Sequence, residues 1–198
     1  MAAEVRDRRR DERRGRLTSA ALRLFTARGF HETSVEDIVS EARTSKSAFY
    51  EFFQSKEDCF RQLLEEEGGR LVSAVLAAAE TGEGWDHRDR MRRGISAFVS
   101  ACARDVRLTR LLLVESVGLA PSVEDVRRQI HGRFASMVEE EVRRAQEGDP
   151  FYAAVDPEVF ARAVVGAVNE AVSHFVEVGG EEADSSRLVS GLIRIFAP

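Results

Sequence analysis

The side chains best suited to chemistry gather in one stretch, Ser45-Lys46-Ser47-Ala48-Phe49-Tyr50, followed six residues later by Lys56. Lys46 and Lys56 are the only lysines among 29 basic residues, all the others being arginine. Two hydroxyls flanking an ammonium at the start of a helix, with a phenol one turn later, are hydrogen-bond donors suited to phosphate oxygens and base edges, and the positive end of the helix dipole assists them. Ala48 offers a methyl group that can meet a thymine methyl. Lys56 falls in the first turn of the next helix, where a cation opposes the dipole, so an external anion such as a DNA phosphate is its expected partner. Thr33, which opens the preceding helix, joins Ser45, Lys46, Ser47, Ala48, Tyr50 and Lys56 as a candidate DNA contact.

Other chemistry is not recognisable. No nucleophile stands with a base, no glycine loop is built for phosphate, and Cys59, Cys102, His31, His87, His131 and His174 are too scattered for a metal pattern. The reading is of a non-enzyme without metal or cofactor, both cysteines being reduced packing residues. No run of about 18 apolar residues argues for a membrane span, and MAAEVRDRRRDERRGR has no apolar stretch for a secretory signal, which points to a soluble cytoplasmic chain. The net charge of -5 hides a basic front, net +3 over residues 1–56, and an acidic remainder, net -8 over residues 57–198. Such a split suits a small polyanion-binding module joined to a part with another task.

Helical periodicity runs through the 198 residues with no sustained strand alternation, so the expected fold is all-α. Leu17, Ala20, Ala21, Leu24 and Phe25 give a first helix one apolar face, and Gly29 suits its left-handed cap. Thr33 and Glu36 fit a capping box for a short second helix carrying Val35, Ile38, Val39 and Ala42. Arg43-Thr44 is the turn, Ser45 caps a third helix to about Phe52 whose aromatics Phe49, Phe52 and Phe53 fill the core, and Ser55 caps a long fourth helix. Further helices are expected over about 86–103, 105–117, 122–146, 157–178 and 184–196, with EGDPFYAAVDP as the main irregular connection. The arm of residues 6–16, seven arginines against three acids, either follows DNA or is a frayed, solvated extension, and the interrupting acids favour the latter.

Two short helices joined by a tight turn, the second opening Ser-Lys-Ser, have the dimensions of a helix-turn-helix. The stretch LTSAALRLFTARGFHETSVEDIVSEARTSKSAFYEFFQSKEDCF closely resembles the DNA-binding region of TetR-family transcriptional regulators in its AAxxLFxxxGFxxTSVxDI run, its Ser-Lys opening, Tyr50 and the Phe53–Glu57 segment. It departs from the family in Arg43-Thr44 where Gly-Val is usual, a turn in which a non-glycine residue can still adopt a left-handed conformation at some cost. Ser47-Ala48 replaces Gly-Thr, and Phe52 stands where His is common.

The resemblance implies a DNA-binding domain over residues 10–56, a connecting helix starting near 56, and a ligand-binding and dimerisation domain over 57–198. It implies a homodimeric repressor that occupies a palindromic operator in double-stranded DNA and is released by a small-molecule effector. On helices that surround the family's cavity lie Trp85, Phe98, Cys102, Leu112, Phe134, Met137 and Phe160, with Glu115, His131 and Asn169 as polar contacts. Taken singly, each is better explained by core packing. Residues 159–176 are apolar nearly all round, and with the last helix they are expected to form a four-helix dimer interface through Val164, Ala167, Ala171, Phe175, Leu188, Leu192 and Phe196, the alternative being a helix fully buried in a monomer. The alternative reading is a helical protein-interaction adaptor without specific DNA binding.

Overall fold

The computed structural model describes residues 2–80, 86–180 and 184–198, and all their regular structure is helical. The head consists of α1 (Ala2–Arg28), α2 (Val35–Glu41) and α3 (Lys46–Tyr50), from which α4 (Lys56–Glu80) leads into the body. The body contains α5 (His87–Arg104), α6 (Val106–Thr109) continuing into a π-helical segment Arg110–Glu115, α7 (Pro121–Ala145), a single turn α8 (Pro150–Ala153), α9 (Pro157–Glu177) and α10 (Ser185–Phe196). The expected irregular connection thus holds a short helix, since Asp149 caps it by accepting from the Phe151 N–H at 2.9 Å. The expected single helix over 105–117 is instead a turn of α-helix followed by the π segment.

The head is closed by Leu17, Ala20, Ala21, Leu24, Phe25, Ile38, Val39, Phe49 and Phe53, all buried, as their spacing dictates. Phe25, Phe30 and Phe60 stack with centroids 5.2 to 5.6 Å apart and join the head core to α4. Gly29 takes φ +84 and closes α1, as expected of its type. Phe52 is only half buried, against the edge of this core.

In the body, α4, α5, α7 and α9 pack side by side, and α10 lies on α5. At the α4–α7 crossing, a Cβ on Gly68 would lie 2.2 Å from Cδ1 of Ile130, so the two helices approach closely because that position carries no side chain. Helix α9 is long and apolar enough to cross a membrane by length and composition. Its stripe of Ala161, Val164, Val168, Val172 and Val176 is buried against the rest of the body. Cys59 and Cys102 are both buried and free, and burial pushes the Cys102 thiol up to about 12.

Candidate DNA interface and effector cavity

The exposed face of α3 starts with a cap. Ser45, in extended conformation, accepts from the Ala48 N–H at 3.2 Å and starts α3 where its residue type indicated. The turn before it is made by Arg43 at φ 50, the single non-glycine residue with positive φ among those described. This places Ser45, Lys46, Ser47 and Tyr50 on the exposed side of α3, Tyr50 with 56% of its surface accessible. Lys46 pairs with Glu36 of α2, both side chains remaining largely in solvent. The carboxylate beside it raises the Lys46 pKa, and Lys46 lowers that of Glu36.

Three of the expected contacts point inward. Ala48 is buried in the head and has no methyl to offer a base. Thr33 is buried too, its hydroxyl donating to the Gly29 carbonyl at 2.8 Å. The capping box belongs to its neighbour: Ser34 Oγ accepts from the Asp37 N–H at 3.1 Å while Asp37 accepts from the Ser34 N–H at 2.9 Å. Lys56 donates to the carbonyls of Phe30 and Thr33, each at 2.7 Å, with its ammonium 4.1 Å from the centre of the Phe30 ring. The compensation expected from a DNA phosphate is therefore supplied within the chain, and burial lowers the Lys56 pKa. Its role is to tie the first turn of α4 to the loop between α1 and α2.

The N-terminal arm is helical and partly docked, so the expectation of a frayed extension is not met. Arg13 donates to Glu51 at 3.0 Å, Arg14 to Gln62 at 3.1 Å and also to Glu66, and the Arg10 guanidinium lies 5.2 Å from the Phe52 ring centre.

In the body, Phe98 and Phe134 meet edge to face at 5.2 Å and, with Met137 and Asn169, line a cavity of about 80 Å³. Val75 and Ala79 of α4, Met91 and Ile95 of α5 and Val164 and Val168 of α9 complete its apolar wall. Its polar rim is the ion pair of Arg90 and Glu141, 2.7 Å apart. Asn169 is 3.2 Å from His131 and lines both this cavity and a second one of about 520 Å³ bounded by α7, α9, Leu113 and Val117. Burial, and secondly Arg127, lowers the His131 pKa.

The other cavity candidates lie elsewhere. Cys102 and Leu112 are buried outside the lining, and Phe160 belongs to an aromatic group with Phe151, Tyr152 and Phe196. Glu115 stands at the junction with the head, where a Cβ on Gly29 would meet its carboxylate at 3.6 Å. Trp85 lies outside the described residues. Of the dimer candidates, Val164 and Leu192 are buried in the chain's own core, and Phe196 is partly covered by Phe160. Ala167, Ala171, Phe175 and Leu188 are partly exposed. The sequence reading missed Val159 and Ile195, exposed by 66% and 61% on the outer sides of α9 and α10. Periodicity reveals a stripe, but on a helix apolar nearly all round it does not say which side is outward.

A further group holds the C-terminus. Asp149 accepts from Arg88 at 2.7 Å and from His87 at 2.9 Å, and first the guanidinium, then the imidazole, keeps its carboxyl well below the usual carboxylate range. Tyr152 donates to the Phe196 carbonyl at 2.8 Å and Arg92 to that of Ala197 at 2.9 Å. The group thereby fastens α10 to the start of α5. Among the described residues no three His, Cys, Asp or Glu side chains are placed to hold a metal ion.

A three-helix head with an exposed Ser-Lys-Ser edge on a helical body defines a helix-turn-helix DNA-binding protein. Residues 17–63 match the family described as bacterial regulatory proteins, tetR family, and residues 84–185 the tetracyclin repressor-like C-terminal domain, which by itself spans more than half the chain. The chain belongs to the TetR family of transcriptional regulators. It is 34% identical over 114 residues to the HTH-type transcriptional activator FasR of Mycolicibacterium smegmatis, a match covering 58% of this chain and 51% of FasR, so it spans about half the length of that relative. To the HTH-type regulator YdgC of Bacillus subtilis it is 27% identical over 171 residues, 85% of this chain and 83% of the other. In fold it is similar to the fatty acid degradation regulator FadR of Bacillus halodurans (TM-score 0.80, 18% identity, 91% and 94% of the two chains). A FadR of Bacillus subtilis in complex with stearoyl-CoA is similar too (TM-score 0.78, 18% identity, 90% and 96%).

Proposed function

We propose that the chain is a homodimeric, effector-responsive regulator whose residues 10–56 read a palindromic operator and whose residues 57–198 bind the effector and the second subunit. The observation that carries this is the exposed Ser45-Lys46-Ser47 edge of α3, with Tyr50 one turn on, in a helix held by a capped turn. The outward sides of α9 and α10, with Val159, Ala167, Phe175, Leu188 and Ile195, supply apolar surface for a four-helix contact between subunits. Where the operator overlaps a promoter the outcome is repression, and a promoter fusion with and without the gene for this chain reports the sign of regulation.

The chemistry of the cavity supports an amphipathic effector that acts on the head through α4. Its wall is apolar and its rim charged, which suits an amphipathic effector with an aliphatic part. At about 80 Å³ it is smaller than the roughly 300–1,000 Å³ of a typical ligand site, so an effector must part the helices that line it. Helix α4 rises about 37 Å from Lys56 to Glu80 and carries Val75 and Ala79 on the cavity wall. Its first turn is fixed to the head by the two Lys56 hydrogen bonds, and Ser122 at the start of α7 donates to Glu57. Displacement at the cavity thus reaches the α1–α2 loop and alters the spacing of the two heads.

A coupling free energy of about 1–3 kcal/mol lowers operator affinity roughly 5- to 150-fold, and operator must lower effector affinity by the same factor. Stearoyl-CoA, held by the Bacillus subtilis neighbour, is the first effector to titrate, against the protein alone and against its complex with operator. Weaker binding to the complex is expected. Identical affinities would remove that molecule as the inducer.

A further inference from the structure

Residues 2–16 precede the stretch matched by the DNA-binding family, which starts at Leu17, yet they continue α1 without a break. At 3.6 residues per turn, Arg6, Arg9, Arg10, Arg13, Arg14 and Arg16 share an arc of about 160°, with Asp7, Arg8, Asp11 and Glu12 on the opposite side. The acids that interrupt the run in sequence therefore do not interrupt it in space. Arg10, Arg13 and Arg14 fix this face to the head through Phe52, Glu51, Gln62 and Glu66. Glu51 and Phe52 directly follow α3, so the arm leaves the molecule beside the C-terminal end of the reading helix.

The side chains of Arg6, Arg9 and Arg16 are exposed and enter no ion pair or hydrogen bond among the described residues. Like charges three and four residues apart repel along a helix, and cations in its first turns oppose the dipole. A polyanion alongside relieves both.

We propose that this arginine-faced helix is a second DNA-binding element, which lies along the phosphates flanking each half-site on the side of the α3 C-terminal end. The inference rests on the reading of α3 as the DNA-reading helix. Residues 6–16 rise about 15 Å, the length of roughly four base pairs. Arg6, Arg9 and Arg16, which fall within about 80° of one another at one edge of the arc, meet phosphate oxygens while the other three hold the helix to the head, so the arm adds affinity without base preference.

The test uses the full chain and the duplex returned by site selection with the unsubstituted protein, once with long flanks and once trimmed to the site. On the long duplex, R6Q/R9Q/R16Q should bind more weakly. Its salt slope should be shallower by roughly 0.9 for each phosphate no longer engaged, up to about 5 over a dimer. On the trimmed duplex it should match the unsubstituted chain, and R6K/R9K/R16K should retain flank binding. If the triple variant melts early, the single R9Q variant carries the test, with a slope change of about 2 per dimer. Unchanged slopes on the long duplex, or equal weakening on both, would overturn the inference while leaving α3 as the reader. If the unsubstituted chain selects no duplex, the reading of α3 falls and this inference with it.

Discussion

The first turns of α3 and α4 each carry one of the chain's two lysines, and the two ammonium groups are used in opposite ways. Lys46 stands in solvent and pairs with a carboxylate that is itself exposed. Lys56 is drawn inward onto two carbonyls and an aromatic face. Both residues sit where a helix dipole disfavours a cation, so the position alone does not reveal an external anion. What separates them is the acceptor geometry around each: the α1–α2 loop brings two carbonyl oxygens to Lys56, whereas α2 brings a displaceable carboxylate to Lys46.

Substitution of each lysine should divide reading from holding. Lys46→Ala is expected to have the largest effect on DNA, about 1–3 kcal/mol per half-site with relaxed preference at one position, while thermal stability changes little. Equal weakening on operator and random duplex would make Lys46 a phosphate ligand and not a base reader. Lys56→Ala should lower stability by about 1.5–3 kcal/mol in denaturant melts, because it removes charged hydrogen bonds and leaves two carbonyls without their donor. Its salt slope for DNA, measured where the variant is folded, should stay unchanged, and a slope reduced by about 0.9 per subunit would restore Lys56 to the DNA surface.

Glu36→Gln frees Lys46 from its partner and sharpens the contrast. Non-specific duplex binding should rise up to roughly 8-fold per subunit at 0.1 M salt, if one further cation then meets a phosphate. The pair is exposed and screened by solvent, so melting should shift little. The smallest effect is expected at the turn that sets up α3. Arg43→Gly relieves the left-handed conformation but loosens the unfolded chain, for a net stabilisation of about 0.5–1 kcal/mol in the same melts. A loss of stability there would show that the Arg43 side chain makes a contribution outweighing its backbone strain.

How far the sequence can be read follows the same division. Ser45, Gly29, Phe49 and Phe53 are legible because a cap, a left-handed stop and an apolar stripe are local properties. Thr33 and Ser34 are not separable by sequence, since each is followed three residues later by an acid. The choice is made by the Gly29 carbonyl, which takes the Thr33 hydroxyl and leaves Ser34 to cap. Ala48 turns inward against expectation because a five-residue helix is too short to define its faces by period. The true partners of Lys56 escape a local reading because they lie 26 and 23 residues away along the chain.

In the body, Phe98, Phe134 and Phe160 are alike as residue types, and only packing sends the first two to the cavity and the third to the Tyr152 group. Counting charges along the chain misjudges the arm, whereas helical winding sorts them onto separate sides.

Whether this chain reads DNA with an α3 from each of two subunits is decided by binding-site selection from random duplex with the unsubstituted protein. The expected product is a two-fold symmetric site whose half-site centres lie about 34–36 Å or a multiple apart. Recovery of asymmetric or random sequences alone would contradict a symmetric pair of reading helices.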